Sequence, residues 1–296
     1  MVKNSNAMFL QLSYGKRLML LSLMFLVMGI FASFVASFAQ QIFDAGTRDY
    51  MMLASALQAI IMFVTPAIGT AYFLSPMPMK MLGLNKGVSV MNVVGIILVM
   101  IVAMPALNQV IAWNSQLSFP DFLSDLEIWM REMETNAAQM QDLLLSSNTI
   151  GGFVMSLLVV AVLTGFAEEI FFRGALQRVI ASNGTNHHVA IWVAAFVFSL
   201  LHFQFFGFFP RLLLGAFFGY IFYWTGSIWA SAIAHAVNNG IVVVSIFLIN
   251  SGCDINAIEN LGVQDSGFPM IACISAGITI LILAFFRKKF FAASRR

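Results

Sequence analysis

The sequence predicts an all-α protein, a polytopic bundle of about eight transmembrane helices with both termini in the cytoplasm. Of its 296 residues, 60% are hydrophobic and only 9% are charged, and the mean hydropathy is +0.89. A soluble domain is nearer half apolar and a quarter charged. The apolar residues are also gathered into segments of roughly 20, the length that crosses a hydrocarbon core, and the basic residues concentrate in alternate loops.

Eight apolar segments are the candidate spans. The first, 18–39, is too long for the hydrophobic region of a cleavable signal, so we interpret it as a membrane helix. The fourth is expected to continue as a helix to about residue 181. Glycine and proline within 206–228 leave open a broken or re-entrant segment there. The remaining candidate spans are 51–74, 88–111, 149–167, 189–206, 211–226, 228–250 and 269–286.

Loop charge fixes the orientation, because basic residues stay on the cytoplasmic side. With the N-terminus inside, three basic residues fall outside: Arg48, Arg131 and Arg211. Every acidic residue except Glu168 and Glu169 also falls outside. Arg211, next to Pro210, is expected to anchor a helix at the outer interface. The twelve basic residues inside are Lys3, Lys16, Arg17, Lys80, Lys86, Arg173, Arg178, Arg287, Lys288, Lys289, Arg295 and Arg296.

One segment outside the bilayer, from Pro120 to Leu145, has the pattern of an amphipathic helix. Its apolar residues recur at steps of three and four. The opposite face is acidic, which does not favour adhesion to anionic lipid. We expect this helix to pack over the outer end of the bundle, with a substrate-gating lid as the alternative. The apolar stripe consists of Phe122, Leu126, Trp129, Met133, Ala137, Met140 and Leu144.

Two adjacent carboxylates in the stretch TGFAEEIFFRGALQ are the first candidate site residues. Ionisable groups inside a membrane are costly and mark function by default. Glu169 and Arg173 are four residues apart, on one face of a helix, and form a natural ion pair. Glu168 is rotated by about 100° from its neighbour and lacks an obvious helical partner. Glu168 is therefore the candidate general base, unless both glutamates are ordinary boundary charges.

Two further polar pairs lie on other apolar segments. The stretch FSLLH places Phe198 and His202 four residues apart, and HAVNN places His235 and Asn239 on one helix face. Taken alone, His202 could equally be a core residue whose hydrogen bonds are satisfied. Taken alone, His235 and Asn239 could equally form a hydrogen bond between helices. Taken together, a carboxylate and two imidazoles can activate water, and an imidazole–amide pair can donate to an oxyanion. The set indicates hydrolysis of an acyl or peptide bond within the membrane.

The ordered motifs EExxxR, FxxxH and HxxxN resemble those of the CAAX-protease and bacteriocin-processing (CPBP, or Abi) family of intramembrane endopeptidases, which includes the Ras-converting CAAX endopeptidase. The resemblance covers roughly residues 149–247. It implies that Glu168 acts as general base on water held with His202. His235 and Asn239 would form the oxyanion hole, while Glu169, Arg173 and Phe198 would shape and charge-balance the site. It also implies a cut near the cytoplasmic face.

A metal is the open point of this prediction. Glu168, His202 and His235 would make a His₂Glu set, which is a legitimate catalytic zinc site. The sequence has no HExxH motif, however, and Asn239 is a poor zinc ligand but a good oxyanion donor. We therefore expect no cofactor, with Zn²⁺ as the alternative.

The expected partners are a membrane protein or peptide substrate and the lipid bilayer. Scattered basic residues argue against nucleic acid. Two other functions compete: a catalytically silent scaffold or bacteriocin-immunity protein, and a proton-coupled transporter, which the absence of obvious inverted repeats disfavours. We expect a bacterial cytoplasmic membrane as the location. The predicted division is N-terminal helices with the amphipathic segment (1–148), a catalytic core (149–247), and a last helix with a basic tail (248–296).

Overall fold

The chain forms nine long helices within the residues that the structure, a computed structural model, describes: 12–264 and 267–294. Lys3, Arg295 and Arg296 of the predicted cytoplasmic set lie outside them. Single helical turns occupy some of the loops, and these ranges contain no strand. The long helices are α1 (Tyr14–Ala39), α2 (Arg48–Leu74), α3 (Val90–Ser115), α4 (Ser124–Leu144), α5 (Ile150–Ala181), α6 (His187–Leu200), α7 (Phe208–Thr225), α8 (Ile228–Asn250) and α9 (Met270–Ser294).

Seven membrane-length helices confirm the polytopic all-α bundle, and the protein is an integral, multi-pass membrane protein. The fifth predicted span, 189–206, is a shorter helix, α6, of 14 residues, which reaches only about 21 Å at 1.5 Å per residue. The predicted bounds 189–206 were wrong at the C-terminal end. The helix ends at Leu200, and Phe203 in the following turn has a positive φ of 53°. The chain then reverses, and α7 starts at Phe208 rather than at 211.

Local sequence accounts for where most of these helices begin and end. The side chains of four residues accept a backbone N–H from the first turn, as good N-caps do: Thr47, Ser89, Thr149 and Asn186. At the end of α7, Gly226 takes the left-handed conformation (φ 67°) that glycine adopts without strain. The same turn is tied to the loop after α2, since the Ile228 N–H donates to the Gly83 carbonyl at 3.1 Å.

Helix α5 is continuous from Ile150 to Ala181, as predicted, but it is not uniform. Two stretches are π-helical, Leu157–Leu163 and Ile170–Gln177. The α-helical turn between them, Thr164–Glu169, carries both glutamates. Such π segments are rare and occur frequently at functional sites. The irregular geometry therefore indicates that the candidate active site lies at this level of α5.

Helix α4 packs over the outer end of the α6–α7 hairpin, which confirms the simpler of the two expectations for this segment. Glu134 Oε2 accepts the Phe206 N–H at 3.2 Å, and the Arg131 guanidinium lies 4.1 Å from the centre of the Phe206 ring. The predicted stripe is only partly inward: Phe122 is 82% exposed, whereas Met130, outside the stripe, is buried.

Four phenylalanines from α1, α2 and α5 form an aromatic layer at the centre of the bundle. Phe25 stacks on Phe171 with ring centroids 4.6 Å apart, and Phe63 contacts Phe172 at 5.9 Å. Phe25, Phe171 and Phe172 are all buried. On α5, the phenylalanines of this layer follow the two glutamates and directly precede Arg173.

Candidate active site

Glu169 and Arg173 form a fully buried ion pair, which confirms the pairing predicted from their spacing. Arg173 Nη1 lies 2.7 Å from Glu169 Oε1, and both side chains are 0% exposed. Arg173 Nη2 also donates to the Gly215 carbonyl of α7 at 2.8 Å. Charge-assisted bonds of this kind are the strong ones in proteins. The pair therefore joins α5 to α7 and supplies no net charge to the site.

His235 of α8 connects the two glutamates. Its Nδ1 lies 3.0 Å from Glu169 Oε1. Since Glu169 Oε1 also accepts from Arg173 Nη1, it acts as an acceptor, and Nδ1 is the donor in this contact. Its Nε2 faces the other carboxylate, 3.7 Å from Glu168 Oε2, which is too long for a hydrogen bond. The imidazole stacks on Phe218, with centroids 4.9 Å apart, so its orientation is fixed.

Phe198 is the packing centre of the site. The Arg173 guanidinium lies 4.7 Å from the centre of its ring. The rings of His202 and His235 meet it edge-on, at centroid distances of 4.9 and 5.7 Å. Phe198 itself is 2% exposed. One aromatic side chain thus packs against three of the predicted polar residues and limits their positions.

Glu168 faces a cavity of about 310 Å³ between α2 and α5. It is 8% exposed, and its Oε2 has no hydrogen-bond partner in the described residues. Buried polar atoms are nearly always satisfied, so an unpartnered carboxylate oxygen next to a cavity calls for a ligand or water. The cavity is lined by Ser55, Gln58, Ala59, Phe63, Leu144, Val160, Thr164, Glu168, Phe172, Leu201 and His202.

His202 lines the same cavity, but not from within a helix as expected. It lies two residues after the end of α6, in the turn that leads to α7. Its Nδ1 is 2.8 Å from the Phe198 carbonyl oxygen. A carbonyl can only accept, so Nδ1 carries the proton and Nε2 offers a lone pair. His202 is therefore set up to accept a hydrogen bond at Nε2.

Arg211 fixes this turn. It donates from Nη1 to the Gln204 carbonyl at 3.1 Å and from Nη2 to Gln204 Oε1 at 2.8 Å, contacts that the sequence did not predict. Both bonds hold the turn two residues beyond His202. The signal was present in the sequence, because an arginine inside an apolar segment is a functional candidate by the rule that identified Glu168.

Asn239 is not among the residues that line the cavity. Its Nδ2 donates to the Val160 carbonyl at 3.2 Å, and its Oδ1 accepts from Asn238 at 3.2 Å. Val160 lies in the first π-helical stretch of α5 and does line the cavity. The structure thus places Glu168 and His202 on the cavity and His235 beside Glu168, whereas Asn239 is hydrogen-bonded to Val160; neither His235 nor Asn239 lines the cavity.

The donor set was tested against the predicted zinc alternative. Both histidines use Nδ1–H toward an oxygen and leave Nε2 free, the arrangement that supports histidine as a metal ligand. As placed, however, no three His, Cys, Asp or Glu side chains in the described part of the chain are grouped closely enough to hold a metal ion. The donor chemistry fits zinc and the spacing does not. Freedom from metal stays a prediction.

Comparison with known proteins supports the resemblance. Residues 150–241 match the model of a family described as type II CAAX prenyl endopeptidase Rce1-like. That range contains all three motifs and falls inside the predicted segment 149–247. An uncharacterised protein of Bacillus subtilis (strain 168), YpbD, is 27% identical over 94 residues, which are 30% of this chain and 45% of YpbD. The match thus spans less than half of that relative's length. No solved structure matches the chain.

Proposed function

We propose that this chain is an intramembrane endopeptidase, since residues 150–241 match the model of the Rce1-like type II CAAX prenyl endopeptidases, a family of proteases. Its reaction is hydrolysis of a peptide bond in a membrane-associated protein or peptide. One observation carries the residue assignment. Of the two adjacent glutamates, Glu169 is neutralised by Arg173, whereas Glu168 faces a cavity with an unpartnered oxygen.

Glu168 acts as the general base on a water molecule in the cavity. It takes one proton from the water, while His202 Nε2 accepts a hydrogen bond from the other. The water oxygen then forms a bond to the carbonyl carbon of the substrate. As the tetrahedral intermediate collapses, the C–N bond breaks, and Glu168 passes its proton to the leaving amine. General acid–base catalysis of this kind contributes roughly 10²- to 10⁴-fold.

His235 stabilises the negative oxygen of the intermediate. It donates from Nε2 only as an imidazolium, because Nδ1–H is already directed at Glu169. Glu169, held by Arg173, fixes the orientation of the imidazole through its Nδ1. In this role Glu169 supports catalysis through His235 and does not contact the substrate.

Asn239 is the second oxyanion donor in the proposal, but only after a rearrangement. One of its Nδ2 hydrogens is used by the Val160 carbonyl. Movement of the first π-helical stretch on substrate binding would free that amide, and local shifts are more accessible where π-type bonding has already replaced the regular helix. Without such a movement, Asn239 positions Val160 and the cavity wall.

Cleavage of a membrane peptide by the purified protein in detergent micelles tests the assignment. Wild type is compared with Glu168→Gln, His202→Ala, His235→Ala and Asn239→Ala, and with Glu259→Gln as a control, since Glu259 is exposed in the outer loop. We expect kcat to fall by about 10²-fold or more in Glu168→Gln and to be unchanged in the control. Wild-type activity in Glu168→Gln would refute the mechanism. Failure of the wild type on every membrane peptide offered would favour the silent scaffold.

A further inference from the structure

Lys86 lies against the cytoplasmic end of α7. A methyl group in place of the Gly226 hydrogen would lie 3.5 Å from its Nζ. The loop that carries Lys86 is fastened to this end of the helix, because Ser227 Oγ donates to the Lys86 carbonyl and Trp229 Nε1 donates to the Leu84 carbonyl at 3.2 Å. A cation beside a helix C-terminus is also favoured by the helix dipole. Lys86 is therefore held at this position, while its side chain stays exposed.

Arg178 reaches the same turn of α7 from the cytoplasmic end of α5. Its guanidinium carbon lies 4.8 Å from the centre of the Phe222 ring. The Gly226 N–H donates to the Phe222 carbonyl at 2.7 Å, so these two positions form a single helical turn. Arg178 is exposed, and the contact with the ring leaves its N–H groups available as donors. We call Lys86, Arg178 and the turn 222–226 the basic turn.

The two charges of the basic turn have no carboxylate partner in the described part of the chain. By loop charge, every acidic residue except Glu168 and Glu169 falls outside. Glu169 is bound to Arg173, and Glu168 lies ten residues before Arg178, about 15 Å along α5. The ion pairs in the described ranges include neither Lys86 nor Arg178. Since like charges repel, an anion from outside the protein would stabilise this arrangement.

The surroundings of the basic turn are typical of the boundary between lipid and water. Tryptophan and tyrosine are enriched at that level of a membrane. Trp224 belongs to the turn and packs against Tyr220 at a centroid distance of 5.5 Å, and Trp229 is 42% exposed in the first turn of α8. Four residues after Lys86 the chain enters α3, where Val90 is 79% exposed. Exposed cations are thus followed directly by exposed apolar surface.

We propose that the basic turn binds the headgroup of an anionic phospholipid in the cytoplasmic leaflet. The phosphate accepts hydrogen bonds from Lys86 and Arg178, and the acyl chains lie along the apolar start of α3. Basic pockets between membrane helices on the cytoplasmic side bind such headgroups, and the guanidinium fork matches phosphate geometry. The orientation is the one set by loop charge, and binding is independent of the proposed function. The lipid connects α5, α7 and the loop after α2, so it should stabilise the folded protein.

Thermal unfolding in dodecyl maltoside micelles, with dioleoyl phosphatidylglycerol added in steps, measures this binding. Dioleoyl phosphatidylcholine has the same chains without a net charge and is the lipid control. Lys86→Gln and Arg178→Gln each remove one charge, whereas Lys86→Arg and Arg178→Lys keep it. Lys16→Gln removes an exposed cytoplasmic charge at the start of α1 and is the matched protein control. Native mass spectrometry of the same samples counts the bound lipids.

We expect phosphatidylglycerol, and not phosphatidylcholine, to raise the unfolding midpoint of the wild type and to stay bound in its mass spectrum. Each glutamine variant should bind phosphatidylglycerol about fivefold more weakly, and the double variant should lose the shift. Lys16→Gln and the two variants that keep the charge should retain it.

Equal shifts from the two lipids would overturn the proposal. So would wild-type affinity in both glutamine variants, or an equal loss of affinity in Lys16→Gln, which would indicate attraction to net charge alone. An equal shift from inorganic phosphate would assign a site for a free anion and not for a lipid. Where a glutamine variant unfolds earlier even without lipid, the mass spectrum decides, because an undiminished lipid count would contradict the site. No step requires cleavage, so either proposal can fail without the other.

Discussion

Replacement of each neighbouring glutamate by glutamine should produce two different defects. Glu168→Gln removes the proposed base but breaks no hydrogen bond of Oε2, since that atom has no partner within the described ranges. Glu169→Gln keeps the shape of the side chain but removes the charge that balances Arg173, which is 0% exposed. The first variant should lose activity and keep its stability. The second should mainly lose stability.

The magnitude follows from the geometry of the ion pair. Opposite charges about 4 Å apart attract by about 4 kcal/mol at an effective dielectric constant near 20. Removal of one partner of a buried pair costs about 3–5 kcal/mol, because the other charge is left uncompensated. Arg173 would keep only its bond to the Gly215 carbonyl at full strength. The free energy of unfolding should therefore fall by about 3–5 kcal/mol in Glu169→Gln.

Thermal unfolding in detergent and the cleavage assay, run on the same preparations, separate the two defects. Glu168→Gln should unfold at or above the wild-type midpoint while kcat falls by about 10²-fold or more. Glu169→Gln should unfold several degrees lower and retain more activity than Glu168→Gln at a temperature where it is folded. An unchanged midpoint in Glu169→Gln, or a kcat in Glu168→Gln equal to that of the wild type, would refute the division of tasks.

Three further predictions follow from the surroundings of the site. Arg211→Gln should lower kcat by up to about 10²-fold, because loss of the bonds to Gln204 releases the turn that carries His202. Arg211→Lys keeps one donor, so it should recover part of the lost kcat with little change in KM. Cleavage activity should survive dialysis of the protein against a strong chelator, with elemental analysis to check that metal has been removed. If dialysis abolishes activity and Zn²⁺ restores it, the result would instead support a zinc site formed by Glu168, His202 and His235. The pKa of Glu127 is lowered from 4.5 by the hydrogen bond from the Phe119 N–H and then by Arg131, so its contribution to stability is present above pH 4.5 and lost as pH falls through the lowered value. The unfolding midpoint of the wild type should accordingly fall more below pH 4.5 than that of Glu127→Gln, and equal falls would contradict this role.

Properties that depend on neighbours along the chain were predictable from the sequence. The bundle follows from segment length and hydropathy, and the Glu169–Arg173 pair follows from a spacing of four residues on one helix. The contact between His235 and Glu169 joins residues 66 positions apart. Chain-local rules contain nothing about that distance, so the sequence linked these residues only through the joint presence of the three motifs.

The end of α6 shows why the rest was not predictable. The sequence stays apolar through Leu201 and the phenylalanines that follow it, so a hydropathy window identifies a single span here. The helix nevertheless stops at Leu200, and Ser199 Oγ donates to the Phe208 carbonyl at 2.7 Å across the hairpin. Contacts from Arg211 and α4 support this turn, and both are tertiary. The two π-helical stretches of α5 likewise result from packing, and no residue pattern in the sequence predicts them.

An unpartnered carboxylate in a membrane bundle is itself an argument for function. A charge in an apolar environment is costly unless it is paired or hydrated, and replacement of buried polar groups by apolar ones of similar volume is often neutral or stabilising. Glu169 meets the condition through Arg173 and His235. Glu168 has His235 Nε2 at 3.7 Å, too long for a hydrogen bond, and so needs water from the cavity. The water that hydrates Glu168 is then also the water that the proposed reaction consumes. The proposed mechanism thus accounts for a carboxylate at this depth: a dry cavity would leave Glu168 without both a hydrating partner and a nucleophile.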